Sequence, residues 1–521
     1  MRTQQRVVVV GAGVGGLASA LLLAHGGFDV TVVERAAGPG GKLRAGAVAG
    51  LAVDAGPTVF TMPWVFEAIF AEAGATLADW LTLKPAAVLA RHAWGPGERL
   101  DLLANPDAAA GAIAAFAGPA EADGYRRFCA RARSVYETLA PAFIAAQRPS
   151  LPELVRRVGP TRLGDLWRIT PFRSLWSALG DHFRDPRLRQ LFGRYATYCG
   201  SSPFSAPATL MLVAHVEQAG VYTVEGGMER IAHALATLAA SSGARFRYGE
   251  HVDEILVARG AAGGVRLASG ERIEADAVVF NGDAAALGAG LLGLAARRGA
   301  GPARPARRSL SAVTWLMAAE TAGFPLSRHT VFFSGDSPRE FRDLAGGRTP
   351  ADPTVYVCAQ DRGAVDDGAP RGPERLLCLV NAPPAGDVRD AASWEVDACE
   401  ERVLTRLAAS GLTIRRSAGA SLATTPSDFA ARYPGAGGAL YGEASHGWMA
   451  SFRRPASRSP IPGLYLAGGS VHPGPGLPMA AMSGRLAAQA LMADRASMRL
   501  WSRAATPGGT STASAMTAGT R

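Results

Sequence analysis

An α/β protein is predicted, with a Rossmann-like dinucleotide-binding domain interrupted by an inserted domain of mixed sheet and helices. Three observations predict it. The chain opens with a strand, a glycine-rich turn (Gly11-Ala12-Gly13-Val14-Gly15-Gly16), a helix and a second strand. It closes with another strand, glycine turn and helix: Leu464–Ala467, Gly468 to Gly476, then Ala480–Ala493. Between these lies material of different texture, aromatic and helical at first and strand-rich later, so the nucleotide-binding pieces are spread along the chain.

The elements follow in order. Val7–Val10 is a short β-branched run and Leu17–Ala24 a helix of small and apolar residues; Phe28–Val33 is the second strand. Residues 64–225 read as amphipathic helices rich in Trp, Phe and Tyr. A helix over Met228–Ala240 leads into strands at Arg245–Tyr248, Glu254–Val257 and Ala277–Phe280. Further strands are predicted at Ala312–Glu320, Thr354–Ala359 and Leu376–Asn381. This divides the chain into nucleotide-binding segments 1–63, 226–290 and 456–496, a helical substrate- and membrane-contacting region 64–225, and a substrate-domain sheet 291–455. The Ser, Thr, Ala and Gly of 497–521 read as a disordered tail.

Composition narrows the class. Of 521 residues, 48% are hydrophobic and 19% charged, which suits a globular protein able to wrap an apolar ligand. The net charge of +10 does not read as a nucleic-acid surface, because lysine occurs only at Lys42 and Lys84 and no RNA or DNA motif accompanies the arginines. Five scattered cysteines without a CxxC pair read as reduced thiols, not a disulfide frame or a metal site. No stretch reaches the roughly 20 apolar residues of a spanning helix, and the glycine-rich N-terminus is not a signal peptide. A cytoplasmic protein, peripheral on the inner face of a membrane, is expected.

The glycine turn has a physical logic. Gly11 permits the sharp bend, Gly13 lets backbone approach a pyrophosphate, and Gly16 allows close helix–strand packing; the helix N-terminus favours the anion. Glu34, 18 residues beyond Gly16 at the end of the second strand, is placed to accept ribose hydroxyls. The motif alone does not separate FAD from NAD. Gly38-Pro-Gly-Gly41-Lys42-Leu43-Arg44 follows directly, where an NAD domain would run into its next helix, and Asp54-Ala-Gly-Pro57-Thr58 adds a tight turn. Arg44 reads either as a charge for the cofactor or as a solvated surface residue. Near the C-terminus, Gly468-Gly469 and His472-Pro-Gly-Pro-Gly476-Leu-Pro478-Met479 lead into a helix whose N-terminus would stabilise negative charge on a reduced flavin. His472 reads either as a general acid–base or as a residue that shapes the turn. The Trp and Phe crowd between 160 and 200 reads equally as core or ligand tunnel.

The opening glycines with Glu34, the GPGGKLR stretch and LYLAGGSVHPGPGLPMAAMSG resemble the bacterial carotenoid (phytoene) desaturase family, within the amine-oxidase/GDI-like flavoproteins. The resemblance runs from Arg6 to about Asp494, through DPRLRQLFGRYATYCGSSP, GVYTVEGGMERIAHAL, VVFNGDAAAL, TVYVCAQDR and SFRRP. Taken with GPTVFTMPWVFEAIF, these segments are most similar to the branch of 1-hydroxycarotenoid 3,4-desaturases, also called methoxyneurosporene dehydrogenases. The resemblance implies FAD held by Gly11, Gly13, Gly16, Glu34, Gly41, Lys42, Arg44, Val252, Gly469, Pro478 and Met479. It implies an acyclic carotenoid substrate, flavin N5 as hydride acceptor without a required side-chain base, and oxygen or a quinone as the final acceptor. Arg194, Tyr195 and Tyr198 are candidates to read a substrate hydroxyl. Alternatives are a multi-step phytoene desaturase, another flavin oxidase of the amine-oxidase type, and a flavin-free lipid carrier of the GDI type. A membrane-facing patch is expected over about 160–215, from Trp167, Phe172, Trp176 and Phe183 interleaved with Arg168, Arg173 and Arg184.

Overall fold

The structure is a computed structural model and describes residues 4–159, 172–363, 370–390 and 392–504, the last seven by backbone alone. Five parallel strands form the first sheet, in the order Arg245–Tyr248, Asp29–Glu34, Arg6–Val10, Ala277–Phe280 and Leu464–Leu466. Strands covered on both faces need no polar alternation, and Val7–Val10 and Ala277–Phe280 are buried at every position. The first helix, Val14–His25, is buried from Val14 to Ala24 between this sheet, the helix Arg230–Ser241 and the last helix, Leu477–Ala504. Glycine makes that crossing possible. A β-carbon on Gly484 would stand 2.1 Å from the Gly15 carbonyl oxygen, and Ser19 Oγ spans the same gap to the Gly484 carbonyl at 2.9 Å.

The second sheet has eight strands and belongs to the inserted domain. Its main path runs Thr413–Arg415, Ser311–Ala322, Glu374–Ala382, Val355–Ala359, His329–Phe332, Val88–Gly95 and Glu98–Leu103, with Ser421–Thr424 also paired to Ser311–Ala322. All its pairings are antiparallel except that of His329–Phe332 with Val88–Gly95. One part of it packs under the helices Pro106–Ala117, Pro119–Leu139 and Pro186–Gly193. Another carries a core around Trp315 and Trp394 and the helix Val396–Ala409. The hairpin Ala45–Val48/Leu51–Asp54 lies on this sheet, with Val48, Val53 and Ala55 against Leu316, Ala318 and Leu377. The two domains are thereby joined through the segment that follows the Lys42 loop.

Two expectations are corrected. Residues 64–225 are not helical throughout, because Val88–Gly95 and Glu98–Leu103 belong to the large sheet and Leu83–Pro85 and Val221–Val224 to a small one. Arg91 and His92 sit side by side in the first of these strands and both are buried, so the usual in–out alternation is absent. The Arg91 guanidinium is accommodated by Asp101, Nε to Oδ1 2.7 Å, on the neighbouring strand. The tail does not begin at 497 either. The last helix continues to Ala504, because Ser497-Met-Arg-Leu-Trp-Ser-Arg-Ala504 still lacks a helix breaker. Residues 505–521 lie outside the described residues.

Candidate active site

The glycine turn sits where the first two strands end. Gly11 takes φ of 99°, a left-handed value, and donates its amide to the Val33 carbonyl at 2.8 Å. Gly13 caps the first helix in an extended conformation, without a side-chain cap and with no acidic residue in the first turn. The first-turn amides therefore remain available to an anion, with the positive end of the helix behind them. A β-carbon on Gly16 would stand 2.1 Å from the Gly11 carbonyl oxygen, as the packing argument requires. Glu34 is buried and accepts the amides of Ala12 (2.7 Å) and Ala36 (2.8 Å). A carboxylate has about four acceptor positions, so two remain for hydroxyls. Val252 is buried beside this end of the sheet, in the apolar cluster of Val8, Val10 and Val33.

The Gly38–Arg44 loop folds back over the turn. Gly40 donates to the Ala12 carbonyl at 2.8 Å, and a β-carbon on Gly41 would stand 3.1 Å from Gly13 Cα. Tyr433 donates its hydroxyl to the Gly41 carbonyl at 2.8 Å. Lys42 reaches the Leu440 carbonyl and lies 5.3 Å from the centre of the Tyr433 ring. Burial pulls its ammonium below the usual lysine range, and the Asp283 carboxylate opposes that shift. Arg44 is not a solvated arginine: its Nη2 is buried and has no partner among the described residues. Both side chains line the large cavity.

The C-terminal turn supplies the opposite wall. Pro478 and Met479, at the start of the last helix, line the cavity together with Gly474 to Leu477. Gly469 stands behind them and acts through its backbone, its carbonyl accepting Arg454 Nη1 at 3.2 Å. The buried Arg454 also holds the carbonyls of Tyr441 (3.1 Å) and Glu443 (2.7 Å), so it fixes the turn from within. Of the two readings of His472, the structure favours the shaping one. It does not line the cavity; its Nε2–H donates to the Ala146 carbonyl at 2.9 Å, and its ring packs on Phe143 at 4.8 Å. Burial pushes its pKa down to about 4, so it is neutral at ordinary pH.

Sequence reasoning missed Asn281, which joins all three pieces. It follows the strand Ala277–Phe280, donates its amide to the Val10 carbonyl (2.8 Å) and its Nδ2–H to the Ala467 carbonyl (3.0 Å). Its Oδ1 would lie 2.7 Å from a β-carbon on Gly13, and it is buried without a partner among the described residues. The signal was an Asn-Gly directly after a parallel strand, at the carboxyl ends where ligands of such sheets bind. The glycine cradle, the free helix N-terminus, Glu34 and the unpaired polar atoms of Arg44 and Asn281 together fit a dinucleotide cofactor.

The cavity has a volume of about 710 Å³ and mostly apolar walls, within the usual range for ligand sites. It passes from the Lys42 and Met479 walls along Leu377 and Leu379 of the large sheet to Phe172 and Trp448, whose rings meet at 5.2 Å. Phe172 is 67% exposed, and Leu151, Val155 and Trp448 beside the same cavity are also exposed. The aromatic crowd divides: Phe172, Trp176 and Tyr198 line the cavity, whereas Phe183, Phe192 and Tyr195 are core. Phe183 is therefore removed from the expected membrane patch, and Trp167 and Arg168 lie outside the described residues. Among the candidate hydroxyl readers, Arg194 and Tyr198 reach the cavity; Tyr195 donates to Glu217 Oε2 at 2.6 Å from behind. Two carboxyl groups that sequence reasoning did not single out, Glu217 and Glu340, also line it. Burial raises both, Glu340 to about 7.

Comparison with known proteins places these features in a family. The model of flavin containing amine oxidoreductases matches residues 14–492. A hydroxyneurosporene desaturase of Rubrivivax gelatinosus is 56% identical, with 99% of this chain and 98% of that protein covered. Its counterpart in Cereibacter sphaeroides is 46% identical, over 94% and 98%. A putrescine oxidase structure with putrescine bound superposes with a TM-score of 0.59 at 16% identity, covering 94% of this chain and 99% of that one. That likeness concerns the fold.

Two outcomes are expected. Gly13→Val drives a branched side chain towards Asn281 and abolishes flavin retention, whereas Glu34→Ala weakens it by about 1.5–3 kcal/mol per lost charge-assisted hydrogen bond; flavin content after gel filtration measures both. His472 has a folded pKa of about 4, below the ordinary value of about 6.5. The unfolded chain binds the extra proton between these values, so the stabilising contribution is full above about pH 6.5 and lost as pH falls towards 4. His472→Gln should flatten the melting temperature over that window and keep every inflection of the wild-type pH–rate profile; loss of an inflection near pH 4, the folded pKa, would return His472 to the chemistry.

Proposed function

The chain belongs to the flavin containing amine oxidoreductase family and, with full-length relatives among the hydroxyneurosporene desaturases, to its carotenoid desaturases; on that footing we propose that it uses FAD to introduce the C3–C4 double bond of an acyclic 1-hydroxy or 1-methoxy carotenoid. The observation that carries this reading is the apolar cavity lined by the Lys42–Arg44 loop, the Pro478 turn and an exposed apolar rim, in a chain 56% identical to a hydroxyneurosporene desaturase.

When bound, FAD would supply the acceptor for the hydride, with its two electrons, while the second hydrogen of the substrate leaves as a proton. The chain's own residues hold and orient. In this reading the first-helix amides and Glu34 bind the pyrophosphate and ribose, and Lys42 and Arg44 add positive charge beside the cavity. Leu377, Leu379 and Met479 keep water from the reacting carbons and hold the polyene in one orientation. Charge that develops on the substrate spreads along its conjugated chain, so the demand on the protein is placement more than proton abstraction. Oxygen or a quinone is the expected final acceptor.

The cavity's exposed apolar rim supports peripheral attachment to a membrane, from which a carotenoid would enter. Leu151, Val155, Phe172 and Trp448 provide an apolar contact, with Arg156, Arg173 and Arg453 nearby in sequence. No helix among the described residues is long and apolar enough to cross a bilayer.

Supplying phytoene, neurosporene and 1-hydroxyneurosporene separately tests the substrate reading. One added conjugated bond, with the red shift that accompanies it, is expected for the hydroxylated carotenoid, and multi-step conversion of phytoene would assign the chain to general phytoene desaturation. Flotation with anionic liposomes tests the membrane reading. Wild-type protein should float and Phe172→Asp/Trp448→Asp should float less; wild-type protein that stays with the soluble fraction would refute attachment.

A further inference from the structure

Two polar clusters of the cavity wall lie beyond the Lys42 and Arg44 side chains. At one, Gln190, Ser337, Glu340 and Thr354 satisfy one another. Glu340 accepts the Thr354 amide (3.0 Å) and hydroxyl (2.7 Å), while Gln190 donates to Ser337 Oγ (2.6 Å) and the Ser334 carbonyl (2.8 Å) and accepts from Trp94 Nε1 (2.9 Å). This cluster fastens a helix to the sheet. The other place retains unused hydrogen-bonding capacity. Arg194 Nη2 donates to the Tyr198 hydroxyl at 2.6 Å, but its Nε is buried without a partner among the described residues. Thr58 and Tyr356 share a hydrogen bond of 2.7 Å, and Tyr356 also meets His329 Nδ1 at 2.8 Å. A hydroxyl has one donor and two acceptor positions, so Thr58 retains at least one acceptor position, and its donor as well where Tyr356 is the donor of their bond.

Contact with the cofactor loop distinguishes the Thr58 cluster. Thr58 belongs to the turn after Asp54, which is packed onto the cofactor loop so closely that a β-carbon on Gly56 would stand 1.8 Å from the Lys42 carbonyl oxygen. In a 1-hydroxy carotenoid, the oxygen is separated from C3 and C4 by three and four bonds of about 1.5 Å each, hence by no more than about 5 Å. Whatever reads that oxygen must lie beside the reacting carbons. The Thr58 cluster adjoins the loop proposed to hold the cofactor; the Glu340 cluster is its neighbour, with Thr354 two residues before Tyr356, but its hydrogen-bonding groups are taken up by one another.

We propose that Thr58, Tyr356, Arg194 and Tyr198 form a subsite that hydrogen-bonds the C1 oxygen of the substrate and so selects oxygenated over plain hydrocarbon carotenoids. The proposal rests on the functional reading above. A hydroxyl and a methoxyl oxygen both accept hydrogen bonds, and the unpaired Arg194 N–H is a donor suited to either. A plain carotene leaves that donor unpaired in an apolar wall, which works against its binding.

The test compares kcat/KM for 1-hydroxyneurosporene and neurosporene in liposomes, using the full-length flavin-loaded enzyme. Thr58→Val, Tyr356→Phe and Tyr198→Phe each remove one hydroxyl with little change of shape. The preference for the hydroxylated substrate should fall about tenfold to a hundredfold in at least one of them, through its own kcat/KM, with flavin content retained. Parallel loss on both substrates in all three variants, or a preference that stays within about twofold of wild type, overturns the subsite. So does Glu340→Gln if it is the variant that abolishes the preference. A wild-type enzyme with no preference, or with no activity on either carotenoid, overturns the functional reading as well; a preference unmoved by the three variants overturns the subsite alone.

Discussion

Three stretches of backbone meet at Asn281 at spacings that leave no room for a β-carbon. One on Gly13 would stand 2.7 Å from Asn281 Oδ1, one on Gly15 2.9 Å from the Gly468 amide, and one on Gly468 2.8 Å from Asn281 Nδ2. These stretches come from the beginning, the middle and the end of the chain, at the carboxyl ends of adjacent parallel strands. The crevice that such strand ends form is where a dinucleotide can be held by main-chain amides. The contact also requires that the inserted domain leave and return through the same sheet, so its position over the crevice follows from the nucleotide fold.

The hairpin at 45–54 carries that constraint across the domain boundary. It follows the Lys42 loop directly, and Val48 and Val53 sit in a shared core with Leu316 and Leu377 of the large sheet. Asp54 is tied to the same sheet through Gln360, which donates to the Asp54 carbonyl (2.9 Å) and accepts its amide (2.9 Å). The cofactor loop, the Asp54–Thr58 turn and the cavity wall therefore form a connected unit. A shift of the large sheet would be felt at the glycine turn.

Charge inside this apolar protein is handled in two ways. Some of it is paired, as in Arg362–Glu374 at 2.8 Å, where the guanidinium also donates to the Leu326 carbonyl at 2.8 Å. Burial of both partners is tolerable there because the remaining hydrogen-bonding positions are used. Other polar groups are left short: Arg44 Nη2 and Arg194 Nε at the cavity wall and Asn281 Oδ1 beside the glycine turn are buried without partners among the described residues. Buried polar atoms are normally satisfied, so these three, at the proposed cofactor and substrate sites, are places where ligand atoms can complete the bonding.

The sequence by itself determined the nucleotide cradle, because that chemistry depends on glycines and a carboxylate at fixed spacing along a βαβ unit; Gly11, Gly13, Gly16 and Glu34 fall where the motif puts them. The Lys42 loop and the Pro478 helix start were legible for the same local reason. Tertiary structure decided what depends on partners distant in sequence. Val88–Gly95 is a strand because His329–Phe332 and Glu98–Leu103 pair with it, and its buried Arg91 and His92 hide the alternation that would have announced it. His472 is a shaping residue because its ring lies against Phe143 and Ala146, more than 300 positions away. Asn281, Arg454 and the Thr58–Tyr356 pair gain their roles in the same manner. A local pattern specifies backbone conformation and the ligand that backbone can hold, whereas burial and hydrogen-bond satisfaction are set by neighbours that only folding supplies.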